Sequence, residues 1–237
     1  TVGDWYDETL RDPATALAVM RSVCVNVGDI DKHFISPLRP ERKASALLQV
    51  MDDGVICFTD YGVGADPVML PDVWCAIKTG RPLRTLGKGE RILWWLRALK
   101  EVGIIETPTR LFAALPDGLP DNVPDNARRV YAGFVELLEL RTLYDPGKLN
   151  TASAPYSIDF IVDWCGLKGT SSARAGLSWL RKNLFLIQKS KGAGAKGKGG
   201  TAARYFLGDG PDWLKDIIEG DRAGAEPIEL KAGRMCG

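Results

Sequence analysis

Lys168, Arg174, Arg181, Lys182, Lys189, Lys191, Lys196, Lys198 and Arg204 fall in one stretch that contains no Asp or Glu. The whole chain carries 31 basic and 30 acidic side chains, so this excess is a local concentration and not bulk composition. Unneutralised cations attract nucleic-acid phosphates whatever the base sequence. Arginine adds a planar fork that matches a guanine edge, and serine hydroxyls bond phosphates or bases. Base and phosphate contact is therefore the chemistry expected of Ser171, Arg174, Ser178, Arg181 and Lys182. Phosphate contact alone is expected of Lys189, Lys191, Lys196, Lys198 and Arg204.

Other chemistries find less support. His33 is the single histidine, which excludes multi-histidine metal sites and reads best as a structural residue. Five cysteines stand at 24, 57, 75, 165 and 236. Their odd number and wide spacing argue against a disulfide framework, and no C-x-x-C pair offers a Cys-only zinc site. Gly87-Lys88-Gly89-Glu90 lacks the spacing of a phosphate-binding loop. Asp52-Asp53 sits in a turn, where Asp is common. No polymerase, nuclease or ATPase constellation is legible, so neither catalysis nor a cofactor is expected.

The elements that must position the basic side chains follow from periodicity. Residues 14–28 read as a first helix. Apolar runs at 46–50 and 55–58 flank Asp52-Asp53-Gly54, a hairpin signal. Residues 71–78 read as a short helix, and 87–103 as a longer one on which Ile92, Trp95, Leu96, Leu99 and Val102 recur at helical spacing. Trp94 stands off that stripe; plain packing is the preferred reading for it, and an interface residue the alternative. Residues 115–126 contain three prolines among Asp and Asn and read as a linker. A helix at 127–143 is expected to bury Val130, Phe134, Leu137, Leu138 and Leu140. A short helix at 158–165 with Ser157 as cap and a turn at 166–169 lead to a helix from about 170 to 183, capped by Thr170 or Ser171. On that last helix Ala173, Leu177, Leu180 and Leu184 form one side, and Ser171, Arg174, Ala175, Ser178, Arg181 and Lys182 the other. Strands at 184–189 and 202–207 flank a Gly/Lys tip, and 211–219 reads as a last helix.

Hydrophobic residues make up 45% and charged residues 26% of the chain, ordinary values for a globular protein. No apolar run approaches the ~18 residues that cross a bilayer. Residues 1–12 are acidic and polar, unlike a signal peptide. A cytoplasmic location without a membrane partner is expected.

Three helices followed by a two-stranded hairpin resemble the winged-helix family over residues 127–207. The resemblance implies that the 170–183 helix lies in a major groove of duplex DNA and that the hairpin follows the backbone. Residues 36–66, with Ser36-Pro37, Cys57-Phe58, Gly64 and Asp66 in frame, resemble the zinc ribbon that opens bacterial and phage primases. In that frame the four ligand positions fall on Ser36, Arg39, Cys57 and Asp60. One of the four is a zinc ligand of the family, so no zinc is expected. The resemblance makes Arg39, Arg42 and Lys43 candidate DNA contacts.

The expected fold class is α+β. A small ribbon-like α/β domain occupies 1–82, a helix and Pro-rich linker 83–126, a winged helix 127–210, and a C-terminal helix and tail 211–237. The expected function is a non-catalytic DNA-binding protein in replication or maintenance of a phage, plasmid or integrated element, primase-related or origin-binding. Its partners would be duplex DNA, a second copy of the chain, or replication proteins. A dimeric winged-helix transcriptional regulator is the alternative. A protein-interaction adaptor whose winged helix docks a partner is the next; on that reading, loss of an exposed Trp94 would hurt more than loss of Lys196 and Lys198.

Overall fold

The computed structural model describes residues 2–106, 123–144, 153–190 and 203–208. Most of the Pro-rich segment, the tip lysines Lys191, Lys196 and Lys198, and the expected 211–219 helix lie outside the described residues.

Seven helices and two three-stranded antiparallel sheets make up the described part, an α+β chain. Helix α1 (Val2–Arg11) leads directly into α2 (Pro13–Val23). Asp12 caps α2: its carboxylate accepts hydrogen bonds from the Thr15 amide at 2.8 Å and the Thr15 hydroxyl at 2.6 Å. Proline at the first helical position needs no amide partner there. The first sheet, ordered β1-β2-β3, contains β1 (Ala46–Val50), β2 (Ile56–Asp60) and β3 (Gly64–Met69). The Asp52-Asp53-Gly54 turn sets the β1–β2 register, with Leu48 opposite Phe58. Strand β3 contains Pro67 and lies at the sheet edge, where a residue without an amide proton removes no ladder bond.

Helices α3 (Leu70–Thr79) and α4 (Lys88–Glu101) pack together. A buried ion pair closes the loop between them. Arg91 on α4 donates to Asp72 on α3 from Nε at 3.0 Å and from Nη2 at 2.8 Å, and the Leu86 amide donates to the same carboxylate at 3.3 Å.

The second half runs α5 (Asp125–Tyr144), β4 (Ser153–Pro155), α6 (Ile158–Trp164), α7 (Thr170–Lys182), β5 (Leu186–Ser190) and β6 (Arg204–Leu207). The sheet order is β4-β6-β5, so the last strand pairs with both earlier ones. A single cluster of buried apolar side chains runs through both halves. Trp94 of α4 joins them. Its ring centroid lies 5.9 Å from that of Trp74 on α3 and 4.9 Å from that of Trp164 on α6. Across the same seam the Arg97 guanidinium stacks 4.4 Å over the Trp164 ring, and Arg97 Nη2 pairs with Glu136 of α5 at 3.1 Å.

Trp94 is therefore buried, at 1% exposure, and is no surface residue. It offers a partner protein no exposed contact. Among the described residues no helix is long and apolar enough to cross a membrane.

Candidate nucleic-acid interface

Helix α7 carries the residues that the basic stretch singles out. Ala173, Gly176, Leu177 and Leu180 are buried, while Ser171, Arg174, Ala175, Ser178, Arg181 and Lys182 are exposed. The two sides divide as the helical period requires. Arg174 and Lys182 form no ion pair among the described residues, so their charges face solvent unneutralised.

The buried side fits very closely on α5. A Cβ at Gly176 would lie 2.7 Å from the Asn126 carbonyl oxygen. The Asn126 side chain donates to the Ser172 carbonyl at 3.1 Å. The absence of a side chain at 176 thus lets two helix backbones touch and holds the outer face at one height, a role that periodicity alone does not reveal. At the far end Trp179 stacks nearly flat on Phe185, with centroids 5.7 Å apart and planes at 9°. This ties the helix to the start of the hairpin.

Two expectations for α7 change. Thr170 and Ser171 do not cap it; Gly169 occupies the cap position and no side chain bonds there. Ser157 does cap α6, accepting from the Phe160 amide at 3.2 Å. Leu184 does not continue the inner apolar side. The helix ends at Lys182, the backbone at 184 turns into the left-handed region with φ 59°, and the side chain is 54% exposed.

In the hairpin, Arg204 opens β6 opposite Pro155 and is half-buried. Lys189 lies on β5. Burial raises the Tyr205 hydroxyl pKa above its usual value, with the Arg181 charge acting the other way.

The N-terminal candidates separate. Arg42 and Lys43 are exposed on the loop before β1. The Arg39 guanidinium, about a third exposed, is paired with two carboxylates, Asp60 at 3.2 Å and Glu41. Ser45 bonds both acids, and the Glu41 carboxylate accepts the Ser36 amide at 2.8 Å. The Ser36 hydroxyl accepts the Leu38 amide at 3.4 Å. Three positions of the ribbon frame, Ser36, Arg39 and Asp60, therefore meet in one hydrogen-bonded ion-pair cluster. The fourth, Cys57, has its sulfur 4.0 Å from that of Met69 instead. Charge neutralisation makes Arg39 a tie between loop and sheet and leaves it little to offer a phosphate.

The cluster has a pH signature. Burial by itself would raise the Asp60 pKa; the hydrogen bonds from Arg39, Ser36, the Gly62 amide and Ser45 outweigh it and hold the carboxyl at about 2. An unfolded aspartate titrates near 3.9, so the folded form keeps the charge to lower pH. The resulting stability, about 2 kcal/mol, is complete above pH ~4 and lost as pH falls towards 2. Urea unfolding of Asp60→Asn and wild type at pH 7 and pH 2.5 is expected to show a large gap at the first pH and a narrowed one at the second. Parallel curves at both would remove the cluster's role.

No protein family, curated protein or solved structure matches the chain.

Proposed function

We propose that the chain is a duplex DNA-binding protein whose α7 lies in the major groove. One observation carries the reading: the outer face of α7 holds Ser, Ala, Arg and Lys with no acid, and its inner face is locked onto α5 through Gly176. A rigidly seated helix with an unneutralised outer face is what base reading requires. The order helix, strand, helix, helix, strand, strand, with sheet order β4-β6-β5, supports a winged-helix reading of residues 125–207. Arg174, Ser178 and Arg181 would read bases. Lys182, Lys189, Arg204 and the tip lysines Lys191, Lys196 and Lys198 would hold phosphates. Arg42 and Lys43 are a secondary contact on this reading, and Arg39 is none.

Fluorescence anisotropy on duplex, forked and single-stranded DNA across a salt series tests it. Duplex binding is expected to weaken by about 0.9 log units per phosphate contact for each tenfold rise in salt. Arg174→Ala/Arg181→Ala is expected to bind its site at least tenfold more weakly, given ~1–3 kcal/mol per bidentate base contact. A preference for forked or single strands would favour replication or maintenance of a mobile element. A palindromic duplex site would favour a dimeric regulator. Absence of binding to every form at low salt ends the DNA reading.

A further inference from the structure

Four helices among the described residues end in the same two-bond motif, and one of them breaks the rule the other three keep. In each, the residue that reverses the chain bonds a carbonyl three residues back through its own amide, and the next amide bonds one five residues back. Helix α3 uses Arg81 to Ala76 at 3.2 Å and Gly80 to Ile77 at 3.3 Å. Helix α4 uses Ile104 to Leu99 at 2.9 Å and Gly103 to Lys100 at 3.0 Å. Helix α6 uses Leu167 to Val162 at 2.9 Å and Gly166 to Asp163 at 3.3 Å. Helix α7 uses Phe185 to Leu180 at 2.9 Å and Leu184 to Arg181 at 3.2 Å. The residue that reverses the chain has φ 65°, 74° and 59° at the three glycines, and 59° at Leu184.

A leucine in that region carries a clash between its Cβ and the carbonyl that a glycine avoids. The other non-glycine with positive φ among the described residues is Asp31, a short polar side chain that tolerates it. The core gains little from Leu184: Phe185, 2% exposed, packs its ring against Tyr131 and Trp179, while Leu184 stands 54% exposed. Among the described residues the reversal closes two helix-end bonds and seats Phe185, which a glycine at 184 would do without the strain. The surroundings indicate what the leucine adds. Arg181 and Lys182 are exposed in the turn just before it, Ile187, 38% exposed, follows, and no acid occurs between 168 and 204.

We propose that Leu184 is an apolar contact to DNA bases, held out beyond the end of α7 by a backbone conformation the chain otherwise gives to glycine. This rests on the DNA reading above. An uncharged side chain ringed by cations suits a groove, where phosphates flank apolar base surface. That surface is either the thymine methyl in the major groove or the face of an opened base step.

Leu184→Gly gives two effects of opposite sign. The variant is expected to melt about 2–4 °C higher, because the strain is gone. It is expected to bind duplex DNA about tenfold more weakly, the worth of one buried leucyl side chain, with an unchanged salt slope because no charge is lost. Replacing thymine by deoxyuridine in the site distinguishes the two base surfaces. If the methyl is the partner, wild type loses affinity on deoxyuridine DNA and Leu184→Gly does not. If a step is opened, 2-aminopurine at that step brightens with wild type and stays dark with the variant. Equal affinity of wild type and Leu184→Gly at every salt concentration overturns the inference and leaves the DNA reading standing. A wild type that binds no DNA overturns both.

Discussion

Trp94→Ala is expected to cost about 3–5 kcal/mol, the range for removing a large aromatic side chain from a packed core. The ring is 1% exposed and meets Trp74, Trp164 and Phe160, with the Arg97 guanidinium carbon 5.6 Å from its centroid. It also borders an open cleft of about 580 Å³ lined by residues of α3, α4, α5 and α6. Trp94→Phe provides the control. The indole Nε1–H has no acceptor, and phenylalanine removes that unsatisfied donor while keeping most of the aromatic contacts. It should cost far less than alanine. Urea unfolding reads both. A Trp94→Ala protein within 1 kcal/mol of wild type, against the ~3–5 expected, would show that the ring does not join the halves.

Asp72→Ala is expected to be comparably damaging, at about 3–5 kcal/mol, because it leaves a partly buried guanidinium without its counter-charge. The Asp72 side chain is 2% and that of Arg91 22% exposed. The Leu86 amide loses its acceptor as well. Removing both charges is a different experiment. In Asp72→Ala/Arg91→Met no uncompensated charge remains, and most of the loss should return. A double variant as unstable as Asp72→Ala alone would mean that the damage comes from the cavity and the Leu86 amide, and not from the stranded arginine.

Much of the scaffold was legible in the sequence where one periodicity dominated. The Asp-Gly hairpin and helices α4 to α7 were readable because each buries a repeating apolar set. The two-sided division of α7 came from the same signal. Helix α1 was not readable: its residues are mostly polar and acidic, and it is held by Tyr6 and Leu10 on its inner side. Strand β3 contains Gly64 and Pro67 and is largely exposed, so it lacks the alternation that marks a strand. Strand β4 is three residues long, too short for any pattern.

Trp94 and Leu184 mark where periodicity runs out. A single stripe on α4 put Trp95 inside and left Trp94 off it, with plain packing preferred to an interface role, and α4 is enclosed on two sides. Trp95 donates to the Thr9 hydroxyl of α1 at 2.9 Å while Trp94 packs on α3 and α6. At Leu184 the spacing continued the inner face one turn too far, because the stop signal used elsewhere in this chain, a glycine, is missing. The candidate site was legible in the charges of α7. The pairing of Arg39 with Asp60 was not, since that carboxylate stands 21 residues away.

The strand order β4-β6-β5 also sets a timetable for synthesis. Strand β4 emerges from the ribosome with no neighbour, and its partner is the last strand of the sheet. Roughly 50 residues separate them, several seconds of translation at about 5–20 residues per second. The nascent chain can assemble α5, α6 and α7 in that interval, but β5 and β4 cannot pair with each other and both wait for residues 204–207. A message truncated after β5 would yield a helical unit with two unmated strands, open to pairing with other chains. The brevity of β4 keeps that exposure small while the polypeptide is still growing.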